Sequence, residues 1–140
     1  MKLKIKRLDS SVNLPTYAHI GDAAFDLYAS RDITLKPGER MSIPTGLSME
    51  IPDGHVGLIW DKSGLSHKHG LKTFGGVIDA GYRGEILVGM MNLGTEAYTF
   101  EKNHKLAQMI IQKREKVDII EVEKLSDTDR SDRGIGSTGK

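Results

Sequence analysis

Apolar residues along this chain come in short runs, several alternating with polar residues, and glycine or proline separates one run from the next. Period-two alternation marks a strand with one buried face, because successive side chains of a strand point to opposite sides. "KLKIKRL" sets Leu3 and Ile5, with Leu8 close behind, against Lys2, Lys4 and Lys6, and lysines on such a strand protect an exposed sheet edge. "AAFDLYAS" is a short apolar run holding one acid, Asp26. "DITLKPGERMSIPTGLSMEIPDG" reads as strand, Pro-Gly turn, strand and turn, and "HVGLIW" as a buried strand whose last residue, Trp60, is assigned to the core. "VID" and "ILVGMMN", the latter with Met90 and Met91 as strand filler, flank the connection "AGYRG", and a β-hairpin is the simplest reading of the pair. The spacing in "HKLAQMIIQKREK" fits a helix or a fully buried strand equally well. "VDIIEVEKL" returns to broken alternation.

Composition then changes abruptly. From Ser126 to Lys140 the only aliphatic side chain is Ile135, too little apolar surface to offset the entropy of ordering the segment alone. The expected organisation is a β-rich domain over residues 1–125 and a flexible C-terminal arm over 126–140. With 140 residues there is room for one core, and 16 glycines with aromatics at 6% point away from a helical bundle and towards an all-β fold. Lysine plus arginine number 20 against 19 acids, so no net field draws the chain to nucleic acid or an anionic membrane, and neither is an expected partner. The absence of cysteine excludes disulfides, thiolate metal sites and cysteine nucleophiles. The N-terminus lacks the continuous apolar stretch of a secretory signal, and no run reaches the length of a membrane span, so a cytoplasmic location is expected.

Three stretches carry candidate chemistry. In "DKSGLSHKHG", Ser63 can cap a short helix, and the free N–H groups there, with Lys62 before and Gly64 after, can cradle an anion; the plainer reading is a turn with a capping serine. In "GGVIDAGYRGEI", Asp79 ends an apolar strand at a turn, where a carboxylate either tightens the turn or positions and deprotonates a water, with Tyr82 beside it offering a ring to a sugar. Asp26 supplies a second carboxylate, suited with a triphosphate to hydrated Mg²⁺, since a hard ion keeps its waters and takes phosphate oxygens. The tail sequence "RGIGSTG" brings glycines, Ser137 and Thr138 together with Arg130 and Arg133 upstream, groups able to wrap a polyphosphate, yet it lacks the ending and the strand-to-helix setting of a P-loop and alone also suits a solvated terminus. His67 and His69 have no third ligand nearby and read as a solvated or capping pair.

Taken together and in order, "AAFDLYA", "DKSGL", "GGVIDAGYRGEI", "KLAQMI" and "RGIGSTG", spanning residues 23–139, resemble the five motifs of the trimeric dUTPases. The resemblance implies a jelly-roll-like, β-clip subunit, a β-prism homotrimer, active sites at subunit interfaces closed by a neighbour's arm, and hydrolysis of dUTP to dUMP and pyrophosphate with Mg²⁺. It also implies a strand for "KLAQMII". Residue by residue, it makes Asp79 the catalytic aspartate that orients and activates the water attacking the α-phosphorus. Tyr82 would pack on deoxyribose and exclude a 2′-hydroxyl. Gly76 and Leu87, with Val77 and Ile78 on the same arm, would meet uracil through main-chain groups, whose fixed polarity mismatches cytosine. Lys62, Ser63 and Gly64 would hold the phosphate chain. Asp26 and Gln108 would reach the metal through its waters. From the arm, Arg130, Ile135, Gly136, Ser137 and Thr138 would close over base and phosphates.

The chain departs from the family pattern in three places. Lys62 stands where arginine is usual, replacing a bidentate fork by a point charge. Ile135 replaces a phenylalanine that stacks on uracil, and Arg133-Gly134 replaces a double glycine. Two other activities are alternatives: a non-catalytic trimer that senses a deoxyuridine nucleotide or binds a partner, and the related dCTP deaminase, whose glutamate on the strand after the turn corresponds to Gly89 here.

Overall fold

The computed structural model describes residues 1–129, 131 and 132, and among them ten strands and one short helix. β1 (Lys4–Arg7), β4 (Arg40–Glu50), β8 (Glu85–Asn92) and β6 (Leu71–Phe74) form one antiparallel sheet in the order β1-β4-β8-β6. β2 (Phe25–Tyr28), β10 (Lys105–Lys113), β5 (His55–Trp60) and β7 (Val77–Asp79) form a second, in the order β2-β10-β5-β7. β3 (Ile33–Leu35) pairs with β9 (Tyr98–Phe100), and α1 (Ser63–His69) lies between β5 and β6. All three sheets contribute to a single core, in which Ile43, Leu47, Ile86 and Val88 of the first meet Leu27, Ala107 and Met109 of the second and Leu35 and Phe100 of the third. The architecture is the expected all-β, jelly-roll-like one, with no closed barrel.

Most strands follow the apolar pattern. β1 is the edge strand that its lysines suggest, with Ile5 half-buried and Lys4 and Lys6 in solvent. "HKLAQMIIQKREK" resolves to strand β10, central in its sheet, because two neighbours bury Leu106, Ala107 and Met109 at once. Met90 fills the core from β8.

Two readings need correction. β7 and β8 are not the arms of a ladder-paired hairpin. β7 pairs with β5 in one sheet and β8 with β4 and β6 in the other, so the turn at 80–84 links two sheets and the arms splay apart. Nor is Trp60 in the core: at 52% exposure it is the residue after buried Ile59, and strand parity turns it outward. Past Lys113 the described residues carry no helix or strand, and Val117, Ile119, Ile120 and Leu125 stand exposed.

Candidate active site

The acid that interrupts the apolar run of β2 lies at one end of the second sheet. Asp26 is 4% exposed, opposite Gln108 in the register with β10, and Gln108 in turn lies opposite Trp60 of β5. A carboxylate so nearly buried requires compensation. It receives it twice: Lys62 donates to Oδ1, and the Lys105 ammonium lies 2.6 Å from Oδ2. Burial pushes the Asp26 carboxyl up, but the hydrogen bonds and charge of Lys105 and Lys62 outweigh it and hold the group below the ordinary carboxylate range. Reciprocally, the bond to Asp26 raises Lys105 above the usual lysine value. Lys105 is thus part of the site although sequence reasoning passed it over. The one available signal was a buried strand acid in need of more than one counter-charge. Gln108 reaches across to the same loop, its Nε2 donating to the Asp61 carbonyl at 2.8 Å.

Lys62 and Ser63 follow that carbonyl directly. Lys62, with an extended backbone (φ −86°, ψ 125°), is the residue that caps α1, and no side chain caps the helix. Ser63 is therefore the first helical residue and not the capping one, and the Lys62 carbonyl accepts the first helical bond from the Ser66 N–H at 2.9 Å. The Ser63 hydroxyl is left exposed. A Cβ on Gly64 would touch nothing, so the surface before this loop is open to a ligand approaching the main chain.

At the other cluster, Gly75 and Gly76 lead from β6 into β7. Gly76 has φ +140°, and a Cβ there would lie 2.8 Å from the Ile59 carbonyl oxygen, so only glycine lets this arm run so close to β5. Its own carbonyl accepts the Ile59 N–H at 2.8 Å. Val77 is exposed, Ile78 half-buried, and Asp79 ends the strand in solvent. The Asp79 main-chain carbonyl accepts the Tyr82 N–H at 3.0 Å, and among the described residues no donor engages the Asp79 carboxylate. The Tyr82 hydroxyl donates to the Glu85 carbonyl at 3.0 Å, which draws the ring across Gly84, where a Cβ would collide with it. Gly84 was another residue that sequence reasoning left without a role. On the opposite arm, β6 stops pairing with β8 at Gly89, and the partner of Leu87 across β4 is Pro44, which has no N–H. The splayed arms therefore leave main-chain groups near Leu87 without a full ladder.

Asp79 does not reach the Asp26–Gln108 row within one chain. Asp79 lies opposite Val56, four residues along β5 from Trp60, and one strand further from Gln108, so sheet spacings put it roughly 15 Å from the Asp26–Gln108 row. Arg130, Ile135, Gly136, Ser137 and Thr138 fall outside the described residues. Among the described residues no three of His, Cys, Asp and Glu converge to cage an ion. Asp26 and Gln108, side by side and already engaged with polar groups, fit a metal approached through its waters and not a bare ion bound by protein alone.

The dUTPase family profile matches residues 10–139. The deoxyuridine 5′-triphosphate nucleotidohydrolase of Clostridium kluyveri is 45% identical over 141 residues, covering 99% of both chains. That of Nautilia profundicola is 46% identical over the full length of both. Among solved structures, a Staphylococcus bacteriophage 80alpha dUTPase mutant with dUpNHpp superposes with a TM-score of 0.93 at 27% identity, covering 99% of each chain. A mutant dUTPase from phage phi11 of S. aureus, described with a structural Mg(II) ion, superposes with a TM-score of 0.83 over 89% of this chain and 98% of its own, at 26% identity. A match over nearly the whole length, with the motif residues on the two clusters just described, identifies the chain as a member of the dUTPase family.

Proposed function

We propose that this protein hydrolyses dUTP to dUMP and pyrophosphate at sites shared between subunits of a homotrimer. The observation that carries the mechanism is the Asp79 carboxylate, which stands in solvent and, among the described residues, unengaged at the lip of two splayed strands, in contrast to the doubly paired Asp26. In this reading Asp79 accepts a proton from a water whose oxygen attacks the α-phosphorus. The bond from that phosphorus to the bridging oxygen breaks, and pyrophosphate leaves. Uracil lies between the arms, met by main-chain groups of Gly76, Val77, Ile78 and Leu87, and deoxyribose lies on the Tyr82 ring. Lys62, Ser63 and Gly64 hold the phosphates. Asp26 and Gln108 would hold a triphosphate-borne Mg²⁺ through its waters, and that ion neutralises phosphate charge and improves the leaving group.

The separation of Asp79 from the Asp26–Gln108 row, to which Lys62 is bonded, supports the shared site, with Asp79 of one subunit facing the phosphates held by another. The trimer gains further support from the exposed Trp60, Phe74 and Val77 and from the unpartnered apolar residues between 117 and 125, a surface suited to burial against neighbours. The arm over 126–140, with Arg130, Ile135, Gly136, Ser137 and Thr138, would close the site from a neighbouring chain. No helix among the described residues is long and apolar enough to cross a membrane, and a cytoplasmic enzyme acting on free nucleotides is the setting we assign.

Deamination of dCTP is disfavoured by Gly89. A Cβ there would lie 2.6 Å from the Phe74 carbonyl oxygen, so β8 has no room for a catalytic side chain at that point. Incubation with Mg²⁺ and dUTP, dCTP, dTTP or UTP distinguishes the readings. Pyrophosphate from dUTP alone is expected. Ammonia from dCTP would select the deaminase, and dUMP binding without turnover of any nucleotide would select a sensor.

A further inference from the structure

The side chain of Asp61, the residue before Lys62, makes more polar contacts than any side chain already placed in the site. It follows the last residue of β5, in the second sheet, yet its side chain is bonded to β6 of the first. Oδ1 accepts from both the main-chain N–H and the hydroxyl of Thr73, each at 2.6 Å, and Oδ2 lies 2.6 Å from the Lys72 ammonium. Its carbonyl, facing the other way, accepts from Gln108 of β10 at 2.8 Å. Burial pushes the Asp61 carboxyl up, but bonds from Lys72 and Thr73 more than offset this and keep it ionised. One residue therefore fastens the loop of Lys62, Ser63 and Gly64 to both sheets.

The two ends of this clasp differ in firmness. Thr73 is held by its ladder to β8, where it lies opposite the buried Met90, and it is itself buried. Asp61 and Lys62 have no ladder of their own, and Ser63 and Gly64 open the short helix α1. Release of the clasp would therefore let the start of α1 and the Gln108 amide shift, with Lys62 still tied to Asp26, and leave β6, and the arm at 76–79 that follows it, in place. We infer that Asp61 is a positioning residue for the triphosphate: it fixes the phosphate-holding loop and Gln108 relative to the sheets, without itself touching substrate. The inference rests on the reading of residues 62–64 as the phosphate site.

The test compares binding of dUMP with binding of the imido analogue dUpNHpp by calorimetry. Asp61→Ala should weaken dUpNHpp about tenfold, the scale of a misplaced contact group, and leave dUMP affinity unchanged. Asp61→Asn, which keeps an oxygen for Thr73 and loses only the pair with half-exposed Lys72, should bind both ligands as the parent does. Thr73→Val, which removes one bond from the opposite side and keeps the main-chain donor, should show a smaller loss in the same direction and serves if Asp61→Ala does not fold. Equal weakening of both ligands, or none, would overturn the inference. Ser63→Ala locates the fault: selective loss for that variant without one for Asp61→Ala means the clasp fails, whereas no selective loss for Ser63→Ala means that the phosphate site itself is misplaced.

Discussion

Asp26 shows how a single buried charge organises its surroundings. Its carboxylate, below the ordinary range, is kept ionised by Lys62 and Lys105, two residues distant in sequence. In the unfolded chain the same group titrates near pH 4. Because the folded value is the lower of the two, its contribution to stability is complete above that pH and is lost as pH falls below it towards the folded value. Asp26→Asn should accordingly flatten the dependence of stability on pH below about pH 4 relative to the parent, as followed by urea unfolding at each pH, and parallel profiles would contradict the pairing. Gly84 is the corresponding steric case. A methyl group there strikes the Tyr82 ring, so Gly84→Ala should move the ring and reduce the preference for dUTP over UTP in kcat/KM about tenfold, and an unchanged ratio would separate Tyr82 from sugar selection. Asp26, Asp79 and Tyr82 were legible in sequence because their residue types stand out against apolar neighbours. Lys105 and Gly84 were not, because a strand lysine and a turn glycine have many ordinary uses and only the fold shows what lies against them.

Period-two patterning placed the strands well, since burial of one face acts on each strand locally. Pairing is a different matter. "VID" and "ILVGMMN" suggested a hairpin, and the chain instead sends the two to different sheets. Val77 and Ile78 pair with β5, and Gly89 packs against Phe74 so tightly that β8 is committed to β6. Ladder partners are chosen by long-range contacts that local sequence does not encode. The misreading is informative, because a paired hairpin would have consumed the main-chain groups that the splayed arms leave for a base. Gly89 is the element-scale pin of this arrangement. Gly89→Ala places a methyl group 2.6 Å from a main-chain oxygen and against the Phe74 ring, so it should lower unfolding free energy by about 2 kcal/mol in urea denaturation, and a neutral effect would show that β6 and β8 can separate at no cost.

Across the whole molecule, the ordered motifs from residue 23 to 139 carry the family resemblance, and the polar tail suggests an arm that folds onto something else. The resemblance implied sites at subunit interfaces, and the fold adds the separation that makes this necessary for Asp79. Asp79 and the row of Asp26 and Gln108 lie roughly 15 Å apart in one chain, so the account requires subunits to complete one another's sites. Asp79→Asn and Ser63→Ala trimers should each hydrolyse dUTP poorly. When the two are unfolded together in equal amounts and refolded, about a quarter of all sites should combine an intact Asp79 from one chain with an intact Ser63 from another, and pyrophosphate release should recover to about that fraction of the parent rate. Activity no greater than that of the separate variants, in a preparation shown to contain mixed trimers, would mean that each site is built within one chain and would contradict the account.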